Sequence, residues 1–316
     1  MVEYAITFMK RGVSMTSSSQ YHGILYCVAG ALTWGINGVV SQFVFTHYVV
    51  NSSWLTAIRM IGAGLLLLLL CLSSQRDRLT GMLGDSVSIR QLLLLSVFGL
   101  LLCQYAYLTA IQYSNAGTAT VLQTLCVVMM SAYMAIRSRS LPSRREVISV
   151  FLAFFGVYLV ATNGNPAAMS LSPAGLFWGL MGALGAVTYP VLSHGLACRW
   201  GAIAVNAIAM FLGGIILFVS LQLWTLTPLL DLAGWLSVAY IIIGGTVVSF
   251  TCFVQGIRLI GPMHATLIGT LEPVTASIIA AVCLGTSFAL PEIIGFIAIL
   301  ATVFIIVTQK PSAHKK

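Results

Sequence analysis

The stretch HATLIGTLEPVTAS, residues 264–277, decides how this chain folds. It sets an acid, Glu272, directly before Pro273 inside an apolar run from Met263 to Leu284. That run is long enough to cross a bilayer, which takes about 20 residues of helix. An acid at the centre of a membrane helix costs roughly 2.5–3.5 kcal/mol on insertion scales. Proline also frees a backbone carbonyl one turn earlier. A helix that carries both in adjacent positions is expected to face protein or water, not lipid. An earlier stretch shadows this one. Ala119, Thr120, Thr124, Leu125, Val128 and Ser131 align, 146 positions upstream, with Ala265, Thr266, Thr270, Leu271, Val274 and Ser277.

Outward from there the chain stays apolar. Hydrophobic residues are 59% of the total and charged residues 7%, against about 25% charged in soluble domains. This is the composition of an all-α polytopic membrane protein and excludes a soluble domain with a large core. Ten spans are expected, near residues 22–45, 52–72, 91–113, 116–136, 146–163, 173–196, 202–223, 235–257, 262–284 and 291–309. The longest connector, Ser73 to Arg90, is polar enough for a short surface helix. Of fifteen Lys and Arg, fourteen fall in the two tails or at even-numbered connectors and the helix ends beside them. That asymmetry predicts both termini in the cytoplasm. It also accounts for the net charge of +8 without a nucleic-acid partner. Residues 1–20 and the basic residues 310–316 read as cytoplasmic tails. The first apolar run is too long for a signal-peptide core and is expected to be retained. The seven cysteines show no CxxC spacing, so neither a disulfide framework nor a metal site is expected. No cofactor motif is visible.

The repeat extends through several spans. Gly23, Gly30, Val39 and Ser41 match Gly175, Gly182, Val191 and Ser193; Glu146 and Thr162 match Glu292 and Thr308. The chain therefore reads as two five-helix repeats, 21–163 and 173–309. Five is odd, so the second repeat enters the membrane from the opposite side. Inverted repeats of this kind suit secondary transporters, whose halves rock about a site near the midplane.

Trp34-Gly35, Arg59, Leu271-Glu272-Pro273, Leu284-Gly285 and Pro291-Glu292 together resemble the drug/metabolite transporter superfamily, EamA type, over the whole chain. SNAGTATVLQ (114–123) and NGNP (163–166) resemble a subgroup of bacterial inner-membrane transporters. The resemblance implies a multi-pass inner-membrane carrier for a small metabolite, with export of amino acids or related compounds favoured. Two positions depart from the pattern. Val127 stands where the first repeat usually has proline, so span 4 is expected to lack the kink of span 9. Thr286 replaces the common acid after Leu-Gly.

Glu272 is the first site candidate. It can hold a cationic or amine-bearing substrate, or take up a proton that drives the cycle; its competing role is helix packing. Arg59 is the one base inside a span. It can pair with Glu272, bind a substrate carboxylate, or snorkel to the surface about 10 Å away. Trp34, Asn37, Gln104, Gln123 and Tyr189 complete a substrate path of aromatics and neutral polar groups, a usual lining for a small-metabolite site. Interhelical hydrogen bonding is the alternative for each. The expected activity is not enzymatic. It is secondary transport driven by protons or exchange, with the bilayer and a small molecule as partners. A membrane enzyme acting on lipid or lipid-linked sugar, or a non-transporting scaffold, is the rival reading. Oligomeric state is not legible.

Overall fold

The computed structural model describes residues 17–74, 76–138, 143–165 and 169–307, except for the side chains of 17–20, 74, 138, 258, 261–264, 267 and 307. Most of the two tails, 1–16 and 308–316, lies outside the described residues, as does Pro166 of the NGNP stretch. The described chain is helical throughout: α1 (Ser17–His47), α2 (Ser52–Ser74), α3 (Arg76–Leu83), α4 (Ser86–Leu94), α5 (Leu102–Tyr113), α6 (Ala116–Gln123), α7 (Cys126–Ser138) and α8 (Arg144–Thr162). Then come α9 (Pro173–Trp200), α10 (Ala202–Ser220), α11 (Leu232–Ile242), α12 (Ser249–Gly269), α13 (Leu271–Leu284) and α14 (Leu290–Val307). Among the described residues, eight helical stretches are long and apolar enough to cross a membrane, and Leu271–Leu284 and Leu290–Ile306 are shorter apolar helices. The polar connector after α2 forms the short helix α3, as its composition predicts.

Helix ends follow local chemistry. Ser143 and Glu146 form a capping box at the start of α8. Asn115 caps α6 by accepting from Thr118 N at 2.8 Å. Ser172 caps α9, with Pro173 in its first turn. Gly285, at φ 64°, closes α13 in the left-handed region that suits glycine.

Two irregularities recur. Wide π turns join α4 to α5 (Leu95–Leu101) and α11 to α12 (Ile243–Val248). Helix breaks fall at Thr124, with φ −64° and ψ −14°, and at Thr270, with φ −66° and ψ −9°. The first break corrects the expectation drawn from Val127. Thr124 Oγ1 donates to Val121 O at 2.7 Å, and Leu125 N donates to Leu122 O at 3.1 Å. The backbone tightens to i→i−3 bonding there, so no proline is needed. A second difference lies between the expected spans 8 and 9. The backbone stays helical from Ser249 to Gly269, with no open connector. The chain nonetheless reverses. A Cβ on Gly269 would lie 3.4 Å from the Phe253 ring, whereas a straight helix would separate these positions by about 24 Å.

Helices gain little from hydrophobic association in lipid, so close backbone packing carries the assembly. α1 runs along α12 and also meets α13; α9 runs along α5 and also meets α6 and α7. α2 packs on α10, and α8 on α14. At the α9–α5 contact, a Cβ on Gly185 would lie 2.5 Å from Cys103 N and Cα. Gly185→Ala should therefore force the two helices apart and lower the melting temperature by a few degrees. An unchanged melting curve in detergent would show that the contact is looser than described.

Two acids just outside the spans fasten these pairs. Asp85 precedes α4 and accepts from Ser88 Oγ at 2.6 Å and Arg199 Nη1 at 2.7 Å. Trp200 Nε1 joins the group by donating to Ser88 Oγ at 2.9 Å. Asp231, 146 positions later, accepts from Tyr48 Oη and from Gly234 N. The Ser88 hydrogen bond and Arg199 hold Asp85 below the usual carboxylate range, and the Tyr48 hydrogen bond does the same for Asp231. Both acids titrate lower folded than unfolded. Their contribution is fully present above the unfolded value of about 3.9 and is lost as pH falls through the folded one. Wild type should lose melting temperature between about pH 5 and pH 3 more steeply than Asp85→Asn/Asp231→Asn. Parallel acid profiles would contradict this.

Candidate functional site

α1 sets the depth scale of the site. Tyr26, Trp34 and Gln42 follow one another at eight-residue intervals, about 12 Å of helical rise each. A cavity of about 1210 Å³ is bordered by Tyr26 and Trp34 of α1, Tyr189 and Ser193 of α9, and Phe250 and Phe253 of α12. Arg76, Asp77 and Arg78, all exposed on α3, stand at its mouth. The cavity therefore opens at the α3 face and ends near the middle of α1. The Trp34 and Phe253 rings lie 4.8 Å apart, tilted by 50°, and form part of an aromatic wall.

One turn beyond Trp34 the polar groups collect. At Gly35 helix α13 comes so close that a Cβ would lie 2.8 Å from the Glu272 carbonyl oxygen. Gly38 makes room for the Tyr107 hydroxyl, which lies 3.0 Å from Thr120 Oγ1. Arg59 is 3% exposed and donates from Nε to Thr246 Oγ1 at 2.8 Å, while its Nη1 has no hydrogen-bond partner. Arg59 and Glu272 lie within electrostatic range of one another and of Tyr107 and Cys103. Among the described residues they form no ion pair within 4 Å. Glu272 is half-buried. Gln123 Nε2 reaches Cys103 Sγ at 3.4 Å.

Of the residues picked from sequence, Trp34 and Tyr189 line the cavity; Arg59, Gln123 and Glu272 lie outside its lining, around Cys103 and Tyr107. Asn37 lies outside the lining, buried against Gly245 in the π turn. Gln104 is half-buried on α5, also outside the lining. Sequence reasoning missed the mouth residues of α3 and the phenylalanines of α12. The i, i+3 spacing of Phe250 and Phe253 on one face of span 8 was the available signal.

Further along α1, hydrogen bonds tie α1 and α6 to the α13–α14 segment. Gln42 Oε1 accepts from Ala116 N at 2.8 Å, and its Nε2 donates to Thr286 Oγ1 at 2.9 Å. Thr118 Oγ1 donates to Glu292 at 2.8 Å. Thr286, which replaces the acid of the general pattern, is thus one end of a bridge from α1 to the α13–α14 connector.

The EamA-like transporter family model matches this chain twice, over residues 21–162 and 173–308. An "uncharacterized inner membrane transporter YicL" of Salmonella typhimurium (strain LT2) is 31% identical over 284 residues, covering 90% of this chain and 94% of that protein. The YedA protein of Escherichia coli (strain K12), also described as an uncharacterized inner membrane transporter, is 26% identical over 251 residues, covering 73% and 76%. A solved structure described only as "Crystal structure of protein" superposes with a TM-score of 0.59 at 15% identity, over 92% of this chain and 96% of that one. By its family matches over both stretches, the chain belongs to the EamA-like transporters, proteins of the membrane.

Proposed function

We propose that the protein is a secondary transporter of a small polar metabolite, working by alternating access. The observation that carries this is a cavity that reaches Trp34 near the middle of α1, with the buried base Arg59 and the acid Glu272 held outside its lining, around Tyr107 one turn further along α1. An acid and a base held near each other without an ion pair can meet opposite charges on one ligand. This favours a zwitterion, an amino acid or a related compound, as the cargo. Glu272 alternates between substrate amine and proton, so the cycle runs on protons or exchange. Export, with uptake from the cytoplasmic side, is the direction we favour, and the exposed arginines of α3 beside the cavity are in keeping with it.

The same reading takes the chain as ten spans in two inverted five-helix repeats, 21–163 and 173–309, with both termini cytoplasmic. The paired π turns, the paired breaks at Thr124 and Thr270, and the two family matches support it. The packing changes one detail. The bodies that rock are mixed bundles, α1 with α12 and α13 against α9 with α5 and α6, because the most extensive contacts of α1 and α9 join one repeat to the other.

The test is a thermal-stability screen of the purified protein with amino acids, amines, sugars, nucleosides and organic acids. A ligand at 100 times its dissociation constant adds about 2.7 kcal/mol to the folded state. Stabilisation by compounds carrying both an amine and a carboxylate is expected. Stabilisation by sugars or nucleosides alone would overturn the zwitterion reading.

A further inference from the structure

A second cavity, of about 430 Å³, lies apart from the transport path, between α7, α8 and α14. Val128 and Ala132 line it from α7, Val150 and Phe151 from α8, and Ile306 from α14. Its polar lining comes from Ser131 and Glu146, and both oxygens of Glu146 are already engaged. One accepts from Ser131 Oγ at 2.8 Å and the other from Ser143 N at 2.6 Å. The carboxylate is thus turned into the helix start and does not reach out for a cation.

The surroundings of the groove are basic. Ile136 lines the groove and the exposed Arg137 follows it; the exposed Arg144 and Arg145 sit one and two residues before Glu146. Arg137 Nη1 approaches Tyr133 Oη at 3.4 Å, which keeps its guanidinium beside the same turn of α7. Acyl chains fill any apolar groove on a membrane protein without preference, because tails and helix faces are alike in polarity. What singles out one lipid is the headgroup at the groove's end. Exposed guanidiniums next in sequence to the lining residues of a slot for a tail suit a phosphate whose lipid carries no compensating amine.

We infer that this groove is a binding site for one anionic phospholipid, its acyl chain between α7, α8 and α14 and its phosphate at Arg137 and Arg144. It lies on the transporter read above, but its occupancy is independent of substrate identity. Failure of the transport reading would show in the ligand screen and leave the lipid test untouched.

The test uses the full-length protein, delipidated in detergent and titrated with dioleoylphosphatidylglycerol or dioleoylphosphatidylcholine while its melting temperature is followed. Phosphatidylglycerol should raise the melting temperature by several degrees with saturation, and phosphatidylcholine should do so much less. Ala132→Phe, which fills the groove, and Arg137→Gln/Arg144→Gln, which removes exposed charge and the contact of Arg137 with Tyr133, should each abolish the difference between the lipids. If the filled groove does not fold, the arginine variant alone decides. Equal effects of the two lipids on wild type would overturn the inference. So would a phosphatidylglycerol effect that persists in a folded Arg137→Gln/Arg144→Gln protein. Stabilisation by dodecylamine that depends on Glu146 would instead make the groove a site for cationic amphiphiles, and would overturn it too.

Discussion

Glu272→Gln is expected to leave the protein folded and to lower its apparent affinity for a zwitterionic ligand about thirty-fold or more, since truncating one member of a desolvated charge contact costs about 2–5 kcal/mol. The change is isosteric, so α13 keeps its packing against Gly35, which meets the Glu272 backbone carbonyl and not its carboxylate. Proton-driven flux should disappear along with its pH dependence, because glutamine cannot exchange a proton. The measurements are ligand-dependent melting and counterflow in vesicles, wild type against variant. A variant that binds weakly but still exchanges substrate would assign Glu272 to recognition alone. A variant with unchanged affinity and flux would reduce it to a packing residue and remove the chemical basis of the proposed site.

The second large effect is conformational. Gln42 is 8% exposed and spans two elements, accepting from Ala116 N at the start of α6 and donating to Thr286. Gln42→Leu keeps the bulk but loses both bonds and leaves the Ala116 N–H without its partner. An unsatisfied buried donor costs about 1–3 kcal/mol, and every 1.4 kcal/mol is a tenfold shift between states. The cost falls only on the conformation in which this end is closed. The variant should therefore populate the opposite-facing state roughly ten-fold or more above wild type. Faster labelling of a cysteine placed at the buried Ala116, which keeps its backbone N–H for Gln42, would report it. Unchanged labelling would mean that other contacts, such as Thr118 with Glu292, hold the closure without Gln42.

Much of this architecture is legible in the residues because lipid makes charge and polarity expensive. Apolar runs and confined arginines mark the membrane-spanning helices, and Glu272 and Arg59 stand out as the ionisable pair within them. The break at Thr124 was hidden for a specific reason. Proline is a visible breaker, whereas a threonine that bonds its own preceding turn looks like any other threonine in a helix. Phe253 was hidden for the opposite reason. An aromatic in an apolar span has no contrast with its neighbours, and its role emerges only when α12 meets Trp34. Asn37 carries a polar group at the depth of the site, yet helical spacing alone does not say which neighbour it faces, and here it is Gly245. The mouth of the cavity lies in a connector, where sequence predicts a short helix but not the cavity it borders.

The central claim is that one face opens as the other closes. It is tested most directly by pulsed electron–electron distances on two spin-labelled pairs, with exposed native cysteines replaced. One pair, Val49→Cys with Ser170→Cys, spans the end closed by Gln42. The other, Tyr26→Cys with Gly195→Cys, spans the mouth of the cavity. Each would be measured with Gln42 present and with Gln42→Leu. Alternating access predicts opposite movements: the first distance lengthens in the variant and the second shortens. Distances that stay fixed, or that lengthen together at both ends, would contradict it.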